Sequence, residues 1–313
     1  MSAPTPIPSV AAPAVPSAAL GVLLALGAVA LFAPIFAAAR LAEVHAGVAA
    51  PMIAIVWLRY LSGFATVAVA TAVTGTRPAD LRSATPGLHL LRACLGAAGL
   101  GCILQAAVLL PLADATAIGL VKGLLVVAFA ALILGERVTR AHWGAALLCA
   151  AGAGVVIVGL PLEAGSIGSD RVGLEGALYA LAGAVFIALE TLTIKVLARR
   201  EGALGVLAHV NGVAAVLWFG PTLWAVSAAG LGAGDLAVFL LMGPLAILGQ
   251  FLNVRALRLA DAAVIGPVGY ASIVFAALLG WAAFGETPGP ATWAGATLIL
   301  FGGVWLARLR GPA

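Results

Sequence analysis

Lys122 stands in Gly119-Leu120-Val121-Lys122-Gly123, inside a run otherwise made of apolar and small residues. An ammonium group in such a place can anchor a carboxylate or another anion, or it can be half of a structural ion pair. Arg59, in Trp57-Leu58-Arg59-Tyr60, has the same two readings. Glu190 is the one acidic residue well inside an apolar run, with Phe186, Ile187 and Leu189 beside it. Apolar neighbours penalise its charged form, which suits a group that takes up and releases a proton. The competing reading pairs it with a nearby cation such as Lys195. Trp57, Tyr60 and Tyr270 could stack on a ligand or fill the core. Asn211 and Gln250 could line a vestibule or hydrogen-bond between helices, and Gln250 shares a helical face with Asn253. His45, His89, His142 and His209 are scattered without ligand spacing, and Cys94, Cys102 and Cys149 lie in apolar runs. No metal set, catalytic set or cofactor motif is expected.

The elements that hold these groups follow from composition. Of 313 residues, 63% are hydrophobic and 9% charged, and the mean hydropathy is +1.16. Soluble domains carry about 25% charged residues, so this chain has too few to cover a water-facing surface. Its apolar residues form runs of the length that crosses a bilayer, about 20 residues each. Helices are expected at roughly 17–39, 48–74, 86–110, 113–134, 141–160, 174–197, 204–229, 235–257, 261–284 and 290–309. Residues 1–16, rich in Pro, Ala and Ser, read as a disordered segment. They hold no Lys or Arg, so the first apolar run reads as a retained helix and not a cleaved signal. At 1.5 Å per residue, Lys122 and Arg59 fall about 13 Å and 16 Å below the outer surface, near the midplane. Glu190 falls about 24 Å down, too deep for a direct pair with Lys122, and with Asn211 and Gln250 about 6–10 Å from the inner side.

With the N-terminus inside, ten arginines occupy inner loops and the tail, and only Arg40 and Arg171 lie outside. That imbalance places both termini in the cytoplasm. The chain also repeats. Leu112-Ala113-Asp114-Ala115 returns as Leu259-Ala260-Asp261-Ala262, 147 positions on, and Gly135-Glu136 returns as Gly285-Glu286, 150 on. Asp114 and Asp261 read as N-caps of their helices. Five helices is an odd number, so the second copy enters the membrane inverted. The expected fold is an all-α integral membrane protein of ten transmembrane helices in a 5+5 inverted repeat, with repeats at 17–160 and 174–309. Inverted repeats are the architecture of alternating-access carriers.

The duplicated small-residue helix starts, the Gly-Glu endings and Arg59 in the second helix resemble the EamA-type members of the drug/metabolite transporter superfamily. The resemblance extends to amino-acid exporters of the YddG type. It implies a central cavity between the halves and a secondary carrier that exports amino acids or similar small metabolites across an inner membrane. It also favours a structural role for Arg59, since the superfamily shares such a residue whatever the substrate. Where relatives carry Pro in the fourth helix, this chain has Gly119 to Gly123; the second copy keeps Pro267. The alternatives are an importer of a nucleobase, vitamin or anionic metabolite and, from another class, a membrane-embedded lipid-modifying enzyme. Expected partners are the small-molecule substrate and the lipid bilayer, with no nucleic acid and no cofactor.

Overall fold

Peptide groups in hydrocarbon have no water to bond, so each apolar run closes its hydrogen bonds internally as a helix. The computed structural model describes residues 15–76, 83–134, 139–164, 169–198, 201–259 and 266–308, and among these it is helical, without a strand. The helices of the first half are α1 Val15–Phe36, α2 Ala38–Ala46, α3 Met52–Thr74, α4 Pro86–Leu109, α5 Leu112–Gly119, α6 Lys122–Leu134 and α7 Arg140–Ala164. Those of the second are α8 Ser169–Ala198, α9 Ala203–Leu217, α10 Phe219–Ala229, α11 Ala233–Leu236, α12 Met242–Leu259, α13 Ser272–Phe284 and α14 Pro290–Arg308. Two 3₁₀ stretches, Ala237–Leu241 and Gly266–Ala271, lead into α12 and α13. Among the described residues seven helices are long and apolar enough to cross a membrane, or eight if the bent pair α9–α10 counts as one. The chain is a multi-pass membrane protein. Most of the proposed disordered N-terminal segment lies outside the described residues.

Several runs that read as one helix are broken. Between α9 and α10 the chain turns by 49°. Pro221 explains it: its ring has no N–H and collides with the carbonyl four residues back, Leu217, where α9 ends. Between α5 and α6 the bonds tighten to 3₁₀ type, with Val121 N–H donating to Ile118 O at 3.1 Å and Gly123 N–H to Leu120 O at 3.1 Å. The 3₁₀ stretch at Gly266–Ala271 lies 147 positions on from that break, the same shift that relates the two Leu-Ala-Asp-Ala motifs. The first expected helix also runs further than its apolar stretch, because α2 carries Arg40 in an amphipathic turn. Arg40 is therefore helical and not in a loop.

Small residues fill the interior and large apolar ones face out: Val73 is 81% exposed, Leu132 78% and Trp224 76%. That distribution suits lipid, where close backbone approach replaces the hydrophobic effect. A Cβ at Gly152 of α7 would lie 2.7 Å from Gly295 O and 2.8 Å from Ile299 Cγ1 of α14. A Cβ at Gly99 of α4 would lie 2.7 Å from Ile187 Cδ1 of α8. The main packed pairs are α7 with α14, α4 with α8, α1 with α12, and α3 with both α9 and α12.

Candidate functional site

α3, α4, α6 and α8 bring four charged side chains and a tyrosine together. Arg92 of α4 is 5% exposed, and its Nε lies 3.5 Å from Oε1 of Glu190 on α8, an ion pair without a hydrogen bond. Arg92 Nη1 also donates to Val206 O of α9 at 3.4 Å. Gly96, one turn along α4, makes room for the rest. A Cβ there would lie 2.6 Å from the Tyr60 hydroxyl and 3.1 Å from the Glu190 carboxyl carbon. The Arg59 guanidinium stands 4.3 Å above the Tyr60 ring, a cation–π contact. Lys122 is the first residue of α6, on the far side of the break, within electrostatic range of Glu190.

Among the described residues no carboxylate is within ion-pair distance of Lys122 or Arg59. The cluster thus holds three cations against one carboxylate. Each uncompensated charge near the middle of a bilayer costs about 2.5–3.5 kcal/mol or more unless water or a ligand meets it.

Not every expected site residue joins the cluster. Tyr60 does, buried, with its hydroxyl at Gly96. Trp57 points elsewhere: Nε1–H donates to Ala215 O at 2.7 Å, and the ring tilts against Phe219 at 5.7 Å, bracing the α9–α10 bend. Tyr270 sits in the 3₁₀ turn, its ring against Gly303 of α14. Its hydroxyl lies 3.2 Å from where a Gly123 Cβ would be, so it reaches the break beside Lys122. Asn211 is fully buried on α9; Nδ2 donates to Leu207 O at 2.8 Å, and Oδ1, unpartnered among the described residues, lies beside Gly63. Gln250 is half-buried on α12, whereas Asn253 on the same helix is exposed.

Two expectations are corrected. Among the described residues the partner of Glu190 is Arg92; the side chain of Lys195, the neighbour in sequence offered for that role, lies outside the described residues. Sequence reasoning missed Arg92; the signal that could have found it is a charge six residues inside a helix that starts at Pro86, on one face with Gly96 and Gly99. Asp114 is not an N-cap: Pro111 holds that position, and the buried Asp114 carboxylate accepts a hydrogen bond from Thr292 Oγ1 of α14. Asp261 and Glu136 lie outside the described residues. The histidines are not all scattered, since His89 and His209 stack with ring centroids 4.7 Å apart and Glu201 beside them.

The two ends of the bundle are tied differently. At one, Arg40 of α2 pairs with Glu286, donates to Leu110 O at 3.2 Å and lies 4.2 Å over the Phe284 ring. Glu286 also accepts from Leu112 N–H at 2.9 Å, at the positive end of α5. At the other, Glu201 accepts from Ser83 Oγ, from Thr85 Oγ1 at 2.8 Å and from His89 Nε2 at 2.8 Å. Burial pushes the Glu201 carboxyl up, and the hydrogen bonds from Ser83, His89 and Thr85 more than offset it, holding the group below the usual carboxylate range.

The EamA-like transporter family matches residues 19–158 and again residues 174–308. The chain belongs to this family. It is 28% identical over 221 residues to the pseudopaline exporter CntI of Pseudomonas aeruginosa, covering 71% of this chain and 75% of that protein. It is 32% identical over 237 residues to a riboflavin transporter of Rhizobium johnstonii, covering 74% and 73%. A riboflavin transporter of Brucella anthropi is 27% identical over 241 residues. A crystal structure at 24% identity aligns with a TM-score of 0.60 over 91% of this chain and 96% of the other, so the two share a fold. The chain is a transporter of small molecules in a lipid bilayer, and the reading as a lipid-modifying enzyme falls away.

Proposed function

We propose that this transporter exports amino acids, or similar small metabolites bearing a carboxylate, across a bacterial-type inner membrane. The observation that carries the reading is the charge balance of the cluster: Arg59, Arg92 and Lys122 face one carboxylate, Glu190. A substrate carboxylate at Lys122 offsets one of the two excess charges, with Tyr60 and Tyr270 as flanking surfaces. An α-amino group would then find Glu190.

Movement follows alternating access in a 5+5 inverted repeat of ten transmembrane helices, both termini cytoplasmic, with repeats at 17–160 and 174–309. Support comes from the family matching the chain twice. It comes also from the packing: an inverted repeat exchanges the pair α4–α8 with α12–α1, and maps α3–α9 and α7–α14 onto themselves, and these are four of the five main packed pairs. The breaks in the fourth and ninth spans meet through Tyr270 and Gly123, as in carriers whose broken helices form the midplane site. Glu190 is the proton-coupling candidate: protonation would release Arg92 from its ion pair as substrate arrives or leaves.

A second reading, uptake of a vitamin or another anionic metabolite, is favoured by the similarity to riboflavin transporters. Counterflow in liposomes holding only the purified protein, with a panel of labelled amino acids and riboflavin, separates the two. Accumulation of one or more amino acids supports export of that class. Accumulation of riboflavin alone moves the assignment to the second reading.

A further inference from the structure

We infer that His89, Glu201 and His209 form a binding site for a divalent transition-metal ion of the zinc type, at the α8–α9 corner and separate from the cationic cluster. One nitrogen of each imidazole and one carboxylate oxygen lie mutually within 4.8 Å. Bonds of about 2.0–2.2 Å to zinc place tetrahedral ligand atoms roughly 3.4 Å apart, so the set closes with shifts of about 1 Å and a rotation of the stacked rings, now 25° from parallel, towards a shared ion. Three elements supply the ligands: α4, the corner before α9, and α9 itself.

The surroundings of each ligand suit metal binding. His209 Nδ1–H donates to Gly205 O, one turn back on its own helix, at 2.8 Å. That bond orients the ring and directs Nε2 away from the helix's own backbone, the way outer partners hold a ligating histidine. Ser83 and Thr85 hydroxyls hold Glu201 Oε1, leaving Oε2 turned to His89. His89 is wholly buried; Nε2 meets Glu201 Oε2 at 2.8 Å, and Nδ1 has no partner among the described residues. The proton shared between His89 and Glu201 stands where the ion would bridge them. A set of two imidazoles and one carboxylate selects zinc, cobalt or nickel over magnesium or calcium. With three protein ligands the fourth position is left to water.

A hydrogen-bonded brace accounts for His89 and Glu201 but not for the second imidazole, which stacks on the first and brings a ring nitrogen into the same 4.8 Å set. The consequence of binding is local. Arg92 follows His89 by three residues on α4 and bonds Val206 O of α9, so the ion would clamp the contact that carries the cationic cluster.

The test is titration of the purified, full-length protein, without a polyhistidine tag and in detergent, with Co2+, read by its visible d–d absorption. One equivalent is expected to bind with tetrahedral intensity and to be displaced by Zn2+. His209→Ala is expected to weaken binding by at least about tenfold, while His45→Ala and His142→Ala leave it unchanged. Should His209→Ala not fold, His209→Cys serves: a thiolate-to-cobalt charge-transfer band places the metal at that position. No saturable binding by the wild type, equal binding by the wild type and His209→Ala, or no such band in His209→Cys overturns the inference.

Discussion

Replacing Glu190 with leucine strands a buried arginine, and the cost can be worked from the structure. Arg92 is 5% exposed and pairs with Glu190 at 3.5 Å. Removing one partner of a fully buried pair costs about 3–5 kcal/mol, and an arginine at the bilayer centre costs about 2.5–3.5 kcal/mol on the insertion scale. Glu190 is 16% exposed and Arg92 lies six residues into α4, short of the centre, so the lower end of these ranges applies. Glu190→Leu should therefore lower stability by about 2.5–3.5 kcal/mol, roughly two decades in the unfolding equilibrium. Arg92→Leu should cost less, about 1–2 kcal/mol, since Glu190 keeps Lys122 nearby. The double variant Arg92→Leu/Glu190→Leu should recover part of the loss. The assay is reversible unfolding in mixed micelles, run as a double-mutant cycle. Additivity of the two single losses within about 0.5 kcal/mol would show that the side chains do not interact, and the reasoning would fail.

Gly152→Val should destabilise the α7–α14 contact by about 1–3 kcal/mol through overpacking, while Gly154→Val, where a Cβ meets nothing within 4 Å, should cost little. Thermal unfolding in detergent of the two variants checks this; equal losses would count against the packing assignment. Arg40→Gln removes the ion pair to Glu286 and the contact with Phe284 that tie one end of the bundle. A cysteine placed at Leu112 should then react faster with an impermeant maleimide added from outside. An unchanged rate would show that Arg40 does not latch that end.

Much of the fold was legible because lipid leaves a chain few choices. Length and hydropathy alone locate the long apolar helices, though the run 204–229 read as one helix and the bend that Pro221 imposes after Leu217 went unread. Other features depend on what stands opposite. The break before Lys122 has no proline to announce it. The helical course of Arg40 was hidden because α2 is amphipathic and follows an apolar run. At the site, Lys122, Arg59 and Glu190 stand out as charges in apolar surroundings, so single residues could be named. Their partners could not. Arg92 lies nearer the helix start and gains its meaning only when α8 packs on Gly96 and Gly99. His89 and His209 are 120 positions apart in the chain and meet only because α9 packs on α4. Trp57 looked like a stacking surface, yet its indole N–H is taken by the carbonyl of Ala215.

The charge of Lys122 meeting a substrate carboxylate is the central claim, and one measurement reaches it directly. Wild type and Lys122→Met are reconstituted in liposomes, and counterflow of a transported amino acid is compared with that of its methyl ester. The wild type is expected to prefer the free carboxylate by at least about tenfold, the scale of a lost interaction worth 1.4 kcal/mol. Lys122→Met, which keeps the length and removes the charge, is expected to lose that preference. A variant that folds and retains the wild-type preference for the carboxylate would contradict the assignment of Lys122 as the anchor.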